Sequence, residues 1–328
     1  METNRYPYGQ DNLTWTLRDF VLTISGTGHM EDFDLHERDS NDESSAPWLA
    51  AGRRELIQSI VIQDGVTSIG DFAFFGCTNL TDVSIPESVT EIHAGVFCHC
   101  RSLSTIHFPS KLKILGCGDL EGNCLRTWGA FEGCTHLNDV VIPDGVVVMG
   151  DSVFYSCEQL HTMAIPDSVK IIGEECFAYC TGLKELHIGD NVQIISESAF
   201  RDCPSLVNVV IPDSVTEIPN KAFKNCKSLT GVTLPKGITR IGSEAFLECK
   251  KLVAIQLPNG LKEIGEAAFM NCPLKKVHIP DSVTLIDANA FWECDFYAVG
   301  LPAHTKVGKD AFTEDVRIRR RKMRPVAE

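Results

Sequence analysis

From about Leu56 to Phe312 apolar and polar positions recur with a period of 23 residues. Most units open on an L-x-x-V-x-I alternation, as in Leu80-Thr81-Asp82-Val83-Ser84-Ile85. A period of two predicts a short strand whose alternate side chains enter a core while the others face outward. Proline follows at Pro86, Pro109, Pro143, Pro166, Pro212, Pro235, Pro258, Pro280 and Pro302. It cannot donate to a continuing ladder, and with Asp-Ser or Asp-Gly after it the chain turns. A second extended piece, V-T-x-I-G, predicts another side of a coil, and an A-F-x-x-C corner closes the unit. Residues 211–229 read IPDSVTEIPNKAFKNCKSL and residues 165–183 read IPDSVKIIGEECFAYCTGL. So short a unit cannot bury its own apolar face, so neighbours must stack. The pattern predicts a repeat solenoid, a right-handed coil of about eleven turns with a parallel β-sheet on one face.

The corner phenylalanines, eleven of the 17 in the chain from Phe74 to Phe312, should stack through the core as an aromatic spine. Ten of the 14 cysteines (Cys77, Cys100, Cys134, Cys157, Cys180, Cys203, Cys226, Cys249, Cys272, Cys294) share one slot of successive units. Side chains stacked in parallel about 5 Å apart do not converge to the roughly 3.8 Å that a disulfide needs. A line of sulfurs is also not the tetrahedron that zinc needs. They read as buried, reduced thiols. Cys98, Cys117, Cys124 and Cys176 stand outside this ladder, and Cys117 and Cys124 flank a loop that oxidation could close.

The 44% hydrophobic content is enough for one core running the whole length of a 328-residue chain. Three segments follow: residues 1–55 as an N-terminal cap, 56–312 as the solenoid with an insertion at 117–127, and 313–328 as a basic C-terminal tail. In the cap, Leu13–Leu17 and Val21–Ser25 alternate around Arg18-Asp19-Phe20, which predicts a β-hairpin covering the open edge of the first turn. Residues 31–43, EDFDLHERDSNDE, read as a solvated acidic loop. The formal charge of -14 opposes nucleic acid and anionic membrane, although the tail holds Arg317, Arg319, Arg320, Arg321, Lys322 and Arg324. No run of apolar residues is long enough for a membrane span, and Met1–Asn12 shows no apolar core of a signal peptide.

The A-F-x-x-C-x-x-L corner and the I-P-D-S-V-T-x-I-G signature resemble the BspA-type leucine-rich repeats of bacterial surface proteins over about residues 56–312, and residues 12–34 resemble the segment that precedes such repeats. The resemblance implies a leucine-rich-repeat coil and a non-enzymatic, adhesin-like protein-binding module, extracellular or on the cell surface, whose partner is a host or extracellular-matrix protein. The alternatives are a structural spacer without a dedicated ligand and, in the absence of an export signal, a cytoplasmic location.

No G-x-S-x-G, H-E-x-x-H, P-loop or strand-to-helix G-x-G-x-x-G occurs, and no catalytic, cofactor or metal residue is assigned. Histidines at His107, His187 and His278 fall on turns too far apart to converge. Departures from the repeat are more informative. The third turn carries eleven extra residues, CGDLEGNCLRT, between Gly116 and Trp128. Beside it, the slot that other turns mostly fill with polar residues, Ser68, Glu91, Glu217, Arg240 and Glu263, holds Ile114, Val148, Ile171 and Ile194. Either the insertion folds over this stripe or a partner does. The candidate partner-binding residues are therefore Ile114, Val148, Ile171 and Ile194 with Leu120, Leu125 and Arg126 of the insertion.

Overall fold

The computed structural model describes residues 3–5, 13–38, 41–50, 52–116 and 128–321. The repeat folds as its pattern predicts, into a β-solenoid with almost no helix. The L-x-x-V-x-I segments stack in parallel as a first sheet face, hydrogen-bonded in separate runs of strands, with pairings such as Ile60↔Val83, Met163↔Leu186 and Val209↔Val232. The V-T-x-I segments form a second, in which Ile69, Ile92, Leu115, Met149, Ile172 and Ile195 pair in register. A further run continues it from Ile218 through Ile241, Ile264 and Ile286 to Val307. The repeat prolines stand first in tight turns at the ends of the strands, and Pro302 is itself the last residue of the strand Ala298–Pro302. The carbonyls of Pro86, Pro143, Pro166 and Pro212 each accept the amide of the residue three ahead at 3.1 Å.

The corner is built from local hydrogen bonds and inter-turn bonds used alternately. In the fifth turn the amides of Glu175, Phe177 and Tyr179 donate to Glu197, Ala199 and Arg201 of the next turn at 2.8–3.1 Å, while those of Ala178 and Cys180 close turns on their own segment. This alternation places the residues two before and two after most corner phenylalanines in the left-handed region. Ser152, Glu175, Tyr179, Lys221, Glu244 and Ala267 adopt φ between 52° and 60°. Such a conformation costs an L-residue of order 1–3 kcal/mol. Glycine relieves it at Gly76, Gly95 and Gly133.

The eleven corner phenylalanines stack at centroid separations of 5.2–5.6 Å with ring planes within 23°. All but Phe312 are completely buried. The described cysteines are reduced and buried. Nine ladder thiols, beginning at Cys100, donate to the carbonyl of the preceding turn's spine phenylalanine at 3.0–3.3 Å. The slot thus needs a small apolar group with one weak donor, which describes cysteine. Cys117 and Cys124 lie outside the described residues.

Both ends depart from the sequence expectation. Thr14–Arg18 and Val21–Ser25 form the predicted hairpin, and Val21–Ser25 adds in parallel to the first repeat strand. The leader goes further and makes a degenerate turn of its own. Gly28–His29 extends the second sheet, and Trp48 occupies the spine position, 5.9 Å from Phe74, with its indole N–H donating to Ala73 O at 2.6 Å. The acidic stretch is not a plain solvated loop, since Leu35–Arg38 pairs antiparallel with Asn41–Ser44 and Phe33 packs edge-on against Trp48. Nor does the basic stretch simply trail away. Arg317–Arg321 pairs in parallel with Ala298–Pro302 and forms one more strand of the first sheet. Its Ile318 is in register with buried Val299 yet remains 46% exposed because no further described turn covers it.

Candidate interaction surface

With the repeat residues committed to the core, the variable outward positions remain for contact. On the first sheet one such slot runs through Val61, Ser84, His107, Val141, Ala164, His187 and Val210. Val141 and Val210 are 73% and 62% exposed, far more than an apolar strand residue retains in a core. Beside Val141, two residues earlier on the same face, stands Asp139, and after the turn stands Asp144, both exposed. Two shallow depressions meet at Val141 and Asp144. One is floored by Ile106, Phe108 and Pro143 and edged by Glu87, His107 and Asp139; the other is floored by Ile142, Ile165 and Pro166 and edged by Asp167 and His187.

The carboxylates here are of two kinds. Glu87 accepts the Ser110 amide at 3.0 Å and its hydroxyl at 2.7 Å, and Asp167 accepts the Asp190 amide at 2.7 Å, so both tie one turn to the next. Asp139 and Asp144 make no such bond and no ion pair among the described residues.

On the corner face the pattern is opposite. Glu175 pairs with Arg201 at 3.0 Å, Glu197 with Lys221 at 2.9 Å and Glu244 with Lys224 at 2.6 Å, while Arg240 on the second sheet lies between Glu217 and Glu263. Those charges neutralise one another across adjacent turns.

The β-branched stripe is real in register, Glu91 pairing to Ile114, Ile114 to Val148, Val148 to Ile171 and Ile171 to Ile194. It is not uniformly outward. Ile114 and Val148 are buried and form a small cluster with Val147 and Ile171, separate from the main core. Ile194 is 51% exposed. Leu120, Leu125 and Arg126 lie outside the described residues. The slot is occluded at the first turn as well, where Ser68 is buried against His29 at 3.2 Å.

A third cluster links cap to solenoid. Asp32, Asp71 and His93 bring one donor atom each within 4.8 Å of one another. Asp32 Oδ1 accepts the Asp71 amide and faces His93 Nδ1, each at 2.8 Å, Asp71 Oδ1 accepts the Ala94 amide at 2.9 Å, and His93 Nε2 faces Glu91 at 3.4 Å. Burial by itself would lower the His93 pKa. The hydrogen bond and charge of Asp32, with Glu91 and Asp71, outweigh it and raise the value above 6.5. The arrangement is a clamp, with a histidine in the slot that Gly70, Gly150 and Gly173 fill in other turns.

A repeat profile described as BspA type Leucine rich repeat region matches residues 53–123, 128–230 and 216–322, in six copies. The chain belongs to the BspA-type leucine-rich repeat family. Solved structures similar to it include a leucine-rich repeat protein from Eubacterium ventriosum, 22% identical over 84% of this chain and 97% of its own with a TM-score of 0.46. A leucine-rich cell surface protein from Faecalibacterium prausnitzii is 21% identical over 97% of this chain and 98% of its own, at 0.49. One from Bacteroides ovatus is 24% identical over 97% of this chain and 100% of its own, at 0.38. No curated protein matches the sequence. Among the described residues no helix is long and apolar enough to cross a membrane.

The sequence located the repeat slots but did not single out Asp139, Asp144 or Trp48. The Asp of P-D-S and P-D-G reads as a turn former, and Trp48 has no repeat motif around it. The exposure of Val141 was legible only as one member of a mixed outward slot.

Proposed function

We infer that this chain is a non-enzymatic protein-binding module of the cell surface or extracellular space, and that its contact surface is the outward face of the first sheet from the third to the seventh turn. The supporting observation is the exposure of Val141 and Val210 between chain neighbours, Val140 and Ile142, Val209 and Ile211, that are buried. Exposed apolar side chains set among polar ones mark the centre of contact surfaces rather than of inert walls. Family membership supports the surface location and the absence of chemistry. The test is capture of extracellular-matrix proteins by the full chain against the double variant Val141→Arg/Val210→Arg. Loss of capture with an unchanged melting temperature is the expected result; unchanged capture refutes the surface. A second contact surface, favoured by the exposure of Ile194, is the open end of the β-branched stripe at Ile171 and Ile194. There Ile171→Glu/Ile194→Glu would abolish capture instead. A spacer without a ligand would show capture by none of these proteins.

A further inference from the structure

We propose that the fourth and fifth turns of the first sheet hold a site for a cationic side chain, and that the partner segment bound there is an extended peptide carrying arginine or lysine. This deepens the sheet-face reading above and rests on it.

The geometry that points to this chemistry is local. Asp139 and Val141 project from the same face of one strand, two residues and therefore about 7 Å apart. Asp144 follows across the proline turn and edges both depressions, with Val141 on their shared border. An arginine or lysine has the matching shape, an aliphatic stem that lies on an apolar side chain and a charged head that stays in reach of carboxylates. Ala164, opposite Val141 on the next turn, is small and leaves the stem room. The charges at the site are one-sided. Asp139, Asp144 and Asp167 line it, and Lys113, whose ammonium approaches Gly145, makes no ion pair with Asp139 or Asp144 among the described residues. The carboxylates that are answered from the adjacent turn, Glu197 by Lys221 and Glu244 by Lys224, are half-buried on the corner face, whereas Asp139 and Asp144 stand exposed on the sheet face. The chain's overall charge of -14 would also draw such a segment in before contact. Asp139–Val140 is bonded to Thr105–Ile106 on one side, and on the other the next turn of the coil, carrying Thr162–Ile165, takes the following place in the stack without a ladder between them. A peptide would therefore be recognised by side chains rather than by strand addition.

The test uses the full chain and a capped decapeptide alternating arginine with alanine, compared with the same peptide carrying citrulline, which keeps the shape and removes the charge. Binding is read by fluorescence anisotropy at low and at physiological salt. The arginine peptide should bind and the citrulline peptide should not. Asp139→Asn/Asp144→Asn should weaken binding roughly tenfold or more, as expected for losing two charge-assisted contacts. Val141→Ser should weaken it through the stem alone, with the salt dependence retained. Glu217→Gln/Glu263→Gln on the second sheet should leave it unchanged. Equal binding to the Asp139/Asp144 variant would mean general attraction to an acidic chain and would overturn the site, as would no binding at all. If the arginine peptide fails while Val141→Arg/Val210→Arg still abolishes capture of a matrix protein, the sheet face stands and its cationic specificity falls. Concentration-dependent self-association lost in Arg317→Glu/Arg319→Glu would make the occupant a second copy of this chain and overturn a heterologous partner.

Discussion

Replacing Phe200 with alanine and, separately, Phe312 with alanine measures whether stability is distributed along a linear stack. Phe200 is fully buried and lies between Phe177 and Phe223, each at 5.4 Å with planes within 7°. Truncating a ring so enclosed costs about 3–5 kcal/mol from lost transfer energy and the cavity left behind. Aromatic contacts of this kind contribute about 0.5–1.5 kcal/mol each beyond area burial, so two of them place Phe200 in the upper part of that range. Phe312 is 7% exposed, stacks on Phe291 alone and meets Phe296 edge-on at 6.1 Å. With one face open, its cavity can collapse or admit water, and about 2–3 kcal/mol is expected. Urea unfolding followed by far-UV circular dichroism supplies both values, provided the slope of the transition is unchanged. Phe312→Ala should also show a shallow early phase as the last turn frays, because each turn is held only by its neighbours. Losses equal to within about 0.5 kcal/mol would refute the linear account, since that is the level at which independent sites become indistinguishable.

Burial pushes the Cys180 and Cys226 thiols up to about 12 and raises Cys157, Cys176 and Cys203 well above their ordinary value. Thiolate is the reactive form, so iodoacetamide at neutral pH should label these five only after denaturation, as peptide mass spectrometry would report; fast labelling of the native protein would place the ladder outside the core. His93 is held above its ordinary pKa, so the folded state binds its proton more tightly than the unfolded chain. The stabilisation is full below the unfolded value of about 6.5 and fades as pH rises through the folded value; His93→Gln should flatten thermal stability across that window, and an unchanged profile would contradict the clamp. Gly95→Ala should be strongly destabilising, because a Cβ there would lie 2.3 Å from the Phe72 ring at φ 61°. Lys221→Gly, at φ 56°, should be neutral or stabilising by up to about 1 kcal/mol in chemical denaturation; a loss above that would show that the side chain, through Glu197, outweighs the backbone.

The coil, its two sheets, the spine and the cysteine ladder were legible because each is written many times and each copy constrains the same physical slot. The ends were harder. Trp48 takes a phenylalanine's place without the A-F-x-x-C frame, and Arg317–Arg321 reads as a solvated charge run until its pairing with Ala298–Pro302 shows that chain geometry, not hydrophobicity, continues the sheet. Left-handed φ at Glu175, Tyr179 and Lys221 was also invisible, since no glycine marks it; inter-turn hydrogen bonds from those very amides hold the conformation. The stripe was legible in register but not in burial. Period alone assigns a residue to a face; whether that face is covered depends on what packs over it, and Ile114 and Val148 are covered while Ile194 is not. The surface chosen for contact came from exposure and unanswered charge at Asp139, Val141 and Asp144, quantities that need the folded chain.

Site-specific photo-cross-linking tests the central claim, that partners are held on the first sheet, most directly. A photoreactive amino acid is placed singly at Val141 on the first sheet, at Ile194 on the stripe and at Lys224 on the corner, and each protein is irradiated with the same matrix-protein mixture. The account predicts a partner adduct from position 141, competed by unlabelled protein and absent from position 224. Adducts from position 194 or 224 with none from 141 would contradict it.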